Sequence, residues 1–283
     1  MKMSDTVVPF PAAPAPANES LSIQDVQEAL WEGRMELHYQ PQYCLSSGRT
    51  VAAEALVRLR DREDNLVYPG RFITQLEESS LIVPFGRAVI TQVCADLAAM
   101  KDQQLPLPRF PINLAANQLN LDDTLADFVA GQLADYGLAP GDLEFELTER
   151  QGFSAASAGA GQLIALAELG SRIVLDDFGI GHARAETLKG LPISAIKIDR
   201  VVLRDSSKSV ARLGMLEGIL VLASRLGLEV IVEGIETIGQ ERLLQTLGFR
   251  WGQGFFYAKP MPAESLLRFL GDQIELPAKQ NAG

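Results

Sequence analysis

The chain has 283 residues, of which 47% are hydrophobic; this fits one large domain and excludes wholesale disorder. Its 36 acidic and 25 basic residues leave a net charge of −11, a poor match for a nucleic-acid polymer or an anionic membrane surface. An anionic ligand would need a local reversal of sign, most simply a metal ion.

Residues 1–19 read as a disordered lead-in, because 9–18 is dominated by proline and alanine. Lys2 is the one basic residue before the apolar stretch and Asp5 interrupts it, so it is not read as a secretory signal. The first helix starts after Ser22, with Asp25 three residues on in the manner of a capping box. Ile23, Val26 and Leu30 share one face, and Gly33 ends it. Strands are predicted at 37–44 and 50–59, joined by a link too short for a helical crossover, so this pair is antiparallel. A helix begins at Pro84 and repeats Phe85, Val89, Val93 and Leu97 on one face. Strands at 110–115, 143–148, 172–177, 195–199, 229–233 and 251–257 then alternate with helical segments, of which 210–226 is the longest and stops at Gly227. Residues 277–283 read as a flexible tail.

Eight strands in this rhythm predict an α/β fold over 20–276, a modified (β/α)8 barrel with its first strand antiparallel. No apolar run approaches the ~18 residues of a membrane span, so no membrane insertion is expected. Two cysteines, Cys44 and Cys94, form no disulfide framework and point to a reducing, cytoplasmic setting. Two histidines, His38 and His182, leave little room for imidazole-bound zinc or a Ser-His-Asp triad.

The strands carry a polar face where a buried parallel sheet should read as continuous apolar runs. Side chains alternate along a strand. Ala53, Ala55 and Val57 therefore oppose Glu54 and Arg58; Ile112 and Leu114 oppose Asn113; Phe145 and Leu147 oppose Glu144 and Glu146. In the same way Ile173 and Leu175 oppose Asp176, Ile196 and Ile198 oppose Lys197, and Val230 and Val232 oppose Glu233. The apolar faces pack on helices, so the polar ones meet inside the barrel, late in their strands, at the C-terminal mouth where barrel enzymes place their chemistry. A single carboxylate there is ordinarily just solvated; six polar groups from six strands are harder to dismiss. Two like charges ~4 Å apart repel by about 4 kcal/mol at an effective dielectric near 20. Lys197 offsets part of this, and a divalent ion is the natural remainder. Oxygen donors without imidazole favour Mg²⁺ or Mn²⁺, with Ca²⁺ as an inhibitory mimic. The doublet Asp176-Asp177 suits a two-metal site if the loop turns the second carboxylate back.

These segments resemble the EAL-domain family of cyclic di-GMP phosphodiesterases. The resemblance rests on an ordered series: Tyr39-Gln40-Pro41, Glu54-Ala55-Leu56 with Arg58, Asn113-Leu114-Ala115, Glu146-Leu147-Thr148-Glu149, Asp176-Asp177-Phe178-Gly179, Lys197-Ile198-Asp199-Arg200, Glu233-Gly234-Ile235-Glu236 and Gln253-Gly254. It implies hydrolysis of cyclic di-GMP to linear 5′-pGpG. By resemblance Glu54, Asn113, Glu146 and Asp176 are ligands of a first metal and Asp177 of a second. Glu233 is a metal-linked glutamate, and Lys197 the lysine beside the attacking water. Gln40 and Arg58 are substrate contacts, while Glu236 and Gln253 lie around the site. Glu149, with Gly179 and Gly181, supports the loop after the fifth barrel strand. That loop departs from the family pattern: Ile180 stands where a threonine hydroxyl could anchor to Glu149. The family likeness, with the apolar helices at Pro84 and Val210, also implies a homodimer.

Two other readings compete. A catalytically silent receptor for the dinucleotide would share the fold, although the complete ligand set favours turnover. A barrel glycosidase would use Glu146 and Glu233 as its acid and nucleophile. A Schiff-base role for Lys197 needs a pocket that suppresses its charge, and the surrounding carboxylates do the reverse.

Overall fold

The computed structural model describes residues 20–103, 105–148, 153–179, 190–204 and 209–275. The lead-in expected over 1–19, the tail at 277–283, and Glu149, Ile180, Gly181 and His182 lie outside the described residues.

The chain enters through α1 (Ile23–Trp31). The predicted capping box is present: Ser22 Oγ accepts from the Asp25 amide at 3.2 Å, and the Asp25 carboxylate accepts from the Ser22 amide at 3.1 Å. β1 (Met35–Cys44) pairs antiparallel with β2 (Thr50–Arg60), from Met35 opposite Leu59 to Tyr43 opposite Thr50, with a register shift after Gln42. A short β3 (Leu66–Val67) follows, then α2 (Ile73–Glu77) and α3 (Ile82–Lys101). Next come β4 (Phe110–Leu114), α4 (Ala116–Leu121), α5 (Leu125–Asp135), β5 (Leu143–Thr148), α6 (Ala160–Leu169), β6 (Arg172–Phe178), β7 (Ala195–Ile198) and α7 (Arg200–Leu203). α8 (Val210–Leu226), β8 (Glu229–Val232), α9 (Ile238–Leu247), β9 (Trp251–Gln253), β10 (Met261–Pro262) and α10 (Ala263–Glu275) complete the order.

β2 and β4 through β9 run parallel, and β1 pairs antiparallel with both β2 and β9. That double pairing closes a barrel of eight staves, with β3 and β10 added at its margins. The eight predicted strands are thus the eight staves. The last is shorter than the predicted 251–257: β9 stops at Gln253 because Gly254 brings the chain hard against the backbone of Ile235.

The outward faces form two packed regions. Phe110, Ile112, Leu114 and Phe145 join α3, α5 and α6 in one; Ile196, Ile198, Val230 and Val232 join α7, α8 and α9 in the other. Each such fully buried side chain contributes roughly 1.5–3 kcal/mol through removal from water. The interior is layered. Arg109, Glu144, Arg172 and Glu229 form ion pairs at the N-terminal end. Val174, Ala195 and Ile231 make an apolar plug, with Trp251 packed on it. Above the plug lies the polar mouth.

α3 is long and apolar enough to cross a bilayer, which the expectation of no such run did not anticipate. Its Phe85, Val89, Val93 and Leu97 face is buried in the core shared with β1 and β4. The apolar length is explained by packing against the barrel.

Candidate active site

Lys197 stands at the end of β7 with no exposed surface. Four carboxylates from four other strands or strand ends gather on its ammonium: Glu146 and Glu233 at 2.7 Å, Glu54 at 3.3 Å and Asp176 at 3.9 Å. Amides fix the carboxylates in turn. Asn113 Nδ2 donates to one oxygen of Glu54 at 2.9 Å, and Gln253 Nε2 donates to the other at 2.7 Å. Gln253 Nε2 also reaches Gln40 Oε1 at 3.0 Å, tying the first and last staves together.

Burial lowers the proton affinity of an ammonium, but Asp176, Glu146, Glu233 and Glu54 hold Lys197 well above the ordinary lysine range. Burial opposes ionisation of Glu54; Lys197 and the Gln253 and Asn113 hydrogen bonds outweigh it, so this carboxyl is held below its usual value. Glu146 goes the other way, because burial and the charges of Glu54 and Asp176 outweigh Lys197 and push it well above its usual value. Burial likewise raises Asp176, and it raises Glu233 to about 8 against the pull of Lys197.

The backbone at Asp177 sends two adjacent carboxylates to two neighbouring cavities. It adopts φ +60, the left-handed region, in which aspartate is one of the tolerated residues. Its amide donates to Asp176 Oδ1 at 2.7 Å, and the register of β6 with β7 shifts across it. Gly179 follows with φ +99, which favours glycine, so the chain turns sharply after the strand.

A cavity of about 310 Å³ opens above the cluster, lined by Gln40, Glu54, Asp176, Glu233, Glu236 and Gln253 among others. Asn113 and Asp177 line a neighbouring cavity instead. Glu146 and Lys197 lie beneath, fully buried. Arg58 lines neither cavity. Its guanidinium rests over Tyr68, 5.0 Å from the ring centre, and donates to the Val57 carbonyl, while its buried Nε has no partner.

The structure also brings in residues not assigned from the sequence. Arg200 lines the cavity above the carboxylate cluster beside Gly234, where a Cβ would fall 2.2 Å from the Arg200 Cβ. Phe255 stands 58% exposed on the rim, while Tyr257 stacks on Tyr43 at 4.3 Å. Arg200 ends the Lys197-Ile198-Asp199-Arg200 motif with no role of its own in the sequence, and an aromatic residue in a predicted strand, such as Phe255 or Tyr257, fits core packing at least as well as stacking on a base.

Among the described residues no three carboxylate, imidazole or thiolate groups already enclose an ion; the Lys197 ammonium is what they enclose. The donor chemistry nonetheless fits a hard divalent cation. The donors are all oxygen, and full ionisation of the four carboxyls against one ammonium would leave a formal charge of −3, which is why burial raises three of them without a further cation. A glycosidase is disfavoured, because Glu146 has no surface to present to a sugar. A Schiff base is disfavoured, because Lys197 is held protonated.

The family model described as the EAL domain matches residues 23–260. The chain belongs to the EAL domain family. The signaling protein YkoW of Bacillus subtilis is 35% identical over 88% of this chain and 31% of its own length. The cyclic di-GMP phosphodiesterase PdeR of Escherichia coli is 34% identical over 87% of this chain and 37% of its own. The EAL domain therefore spans about a third of those relatives. Among solved structures, the PaMucR phosphodiesterase in complex with c-di-GMP superposes with a TM-score of 0.79 at 33% identity, covering 86% of this chain and 98% of that one. The modified barrel with one antiparallel stave is the fold of these EAL domains.

Proposed function

We propose that this chain hydrolyses cyclic di-GMP to linear 5′-pGpG with Mg²⁺ or Mn²⁺. The observation that carries the reading is the convergence of Glu54, Glu146, Asp176 and Glu233 on Lys197 at the barrel mouth. Glu54, Asn113, Glu146, Asp176 and Glu233 would hold one ion, and Asp177 a second. Bound there, the metal neutralises the phosphodiester and acidifies a water, so an acidic protein can use an anionic substrate. Ca²⁺ would fill the same oxygen sites and inhibit.

The protein's own contribution is placement. Lys197 is held protonated, so it orients the attacking water as a donor and stabilises charge developing on the phosphate. Glu233, partly exposed and 2.7 Å from the Lys197 ammonium, is the carboxylate placed to orient that water once it is ionised. Gln40, Glu236 and Gln253 face the cavity as hydrogen-bonding partners for the substrate. Arg58 would have to swing off the Tyr68 ring to reach the substrate, since it lines neither cavity. Among the described residues lining that cavity Arg200 is the one base, against five acids, and we assign it to the anionic substrate. Outward-facing Met215, Val221, Leu222 and Leu226 on α8 support self-association as a homodimer.

Asp177→Asn tests the reading. Asparagine also tolerates a left-handed φ, so the turn survives while one negative oxygen is lost. Turnover of cyclic di-GMP with Mn²⁺ should fall at least about a hundredfold with melting unchanged. Wild-type hydrolysis in this variant would overturn the two-metal assignment. Dinucleotide binding without hydrolysis in the unmodified protein would make it a receptor.

A further inference from the structure

β2 carries Glu54, Leu56 and Arg58 on one face. Glu54 and Leu56 line the cavity above the carboxylate cluster; Arg58, the next member of the row, does not. Successive members of such a row lie about 7 Å apart, so a change of rotamer, with no movement of the strand, brings a long side chain back over its neighbour. What keeps the guanidinium away is its present contact. Val67 of β3 pairs with Leu59 of β2, and one step further along that register Tyr68 falls opposite Arg58 on the same face. The guanidinium sits over the Tyr68 ring, 5.0 Å from its centre, and Nη1 folds back to the Val57 carbonyl at 2.8 Å.

The two halves of this contact differ. Tyr68 is 54% exposed, but its backbone is pinned. It precedes Pro69, which opens a 3₁₀ turn, and a residue before proline is confined to the extended region that Tyr68 adopts, φ −86 and ψ 152. Arg58 is 5% exposed, and its Nε has no acceptor. A buried donor left without an acceptor is costly. The stacked rotamer thus holds a guanidinium with unfilled hydrogen-bonding capacity next in the row to the cavity. A phosphodiester offers Nε and Nη the paired charged acceptors that a ring and one carbonyl do not. A cation over a partly exposed aromatic ring is held weakly enough to be exchanged for a phosphate, and strongly enough to set how often the arginine is free.

We infer that Tyr68 is a positioning residue: it parks Arg58 off the mouth, and an anionic substrate must draw the guanidinium from the ring before the two meet. The inference rests on the reading that the chain binds cyclic di-GMP. Apparent affinity falls with the fraction of molecules in which the binding group is free. Weakening the stack should therefore tighten the substrate, and strengthening it should loosen the substrate.

The test uses the full chain with Ca²⁺ in place of Mn²⁺, so that binding is read without turnover. Arg58 side-chain resonances are followed by NMR, and cyclic di-GMP affinity by calorimetry. The resonances, assigned by their loss in Arg58→Gln, should be displaced upfield by the ring in the ligand-free wild type. They should return to ordinary values in Tyr68→Leu and on saturation with cyclic di-GMP. Tyr68→Leu should bind cyclic di-GMP about two- to fivefold more tightly, the size of one partly exposed cation–aromatic contact, and Tyr68→Trp more weakly than the wild type. In an Arg58→Gln background neither substitution should change the affinity, a dependence that a merely structural role for Tyr68 would not produce. Three results would each overturn the inference while the dinucleotide still binds: Arg58 resonances that ignore Tyr68→Leu, an affinity that Tyr68→Leu lowers or leaves unchanged, or an effect that persists without Arg58. A wild type whose Arg58 is ring-shifted but that binds no cyclic di-GMP overturns the proposed function, and the gate falls with it.

Discussion

Lys197→Met is the perturbation to which the site should respond most. The side chain is fully buried, and its ammonium lies 2.7 Å from two carboxylates, 3.3 Å from a third and 3.9 Å from a fourth. Methionine keeps the length and removes the charge. Removing one partner of a buried ion pair costs about 3–5 kcal/mol, because the remaining charge has no compensation. For a domain of this size that corresponds to a drop in Tm of about 6–20 °C. The sign with pH follows from the carboxyls left behind. Their folded proton affinities rise further above those of the unfolded chain, so the folded state binds more protons across the neutral range. The deficit should therefore be small near pH 5 and largest near pH 8. Thermal melts in EDTA at both pH values measure it, and Mn²⁺ should raise the Tm of the variant more than that of the wild type. A loss below about 2 °C, or one that does not grow with pH, would refute the ammonium as the counter-charge that assembles the site.

The metal-free wild type should itself lose stability as pH rises. Glu233 is raised from the ordinary glutamate value to about 8, so its ionisation cost accrues between about pH 4.5 and 8; Glu233→Gln should flatten that slope in melts without metal. Arg200→Ala should raise KM for cyclic di-GMP about tenfold with kcat nearly unchanged, as expected for a charge-assisted contact made in ground and transition states alike; an unchanged KM removes Arg200 from the substrate. Gly254→Ala should lower stability by about 3 kcal/mol or more, since its Cβ would meet the Ile235 carbonyl oxygen at 2.0 Å and neither backbone can yield; a native-like Tm would show that this crossing is looser than described.

Much of the fold was legible because period-two alternation is a local property. Ala53 and Ala55 against Glu54, or Ile196 and Ile198 against Lys197, can be read without knowing any neighbour, and they assign outer and inner faces. The capping box at Ser22 and the antiparallel β1–β2 pair are equally local and stand as read. Other features depend on contacts between distant segments. β9 ends early because Gly254 meets Ile235. Arg58 turns to Tyr68 and away from the cavity, and Gln118 lies over Gly86 on another helix. The strand pattern thus determined which residues look into the barrel. Only closure of the staves decided that four carboxylates share one ammonium, and that Asp177 turns at φ +60 beside them. Electrostatic coupling depends on distance in space, and sequence alternation carries direction but no distance between strands.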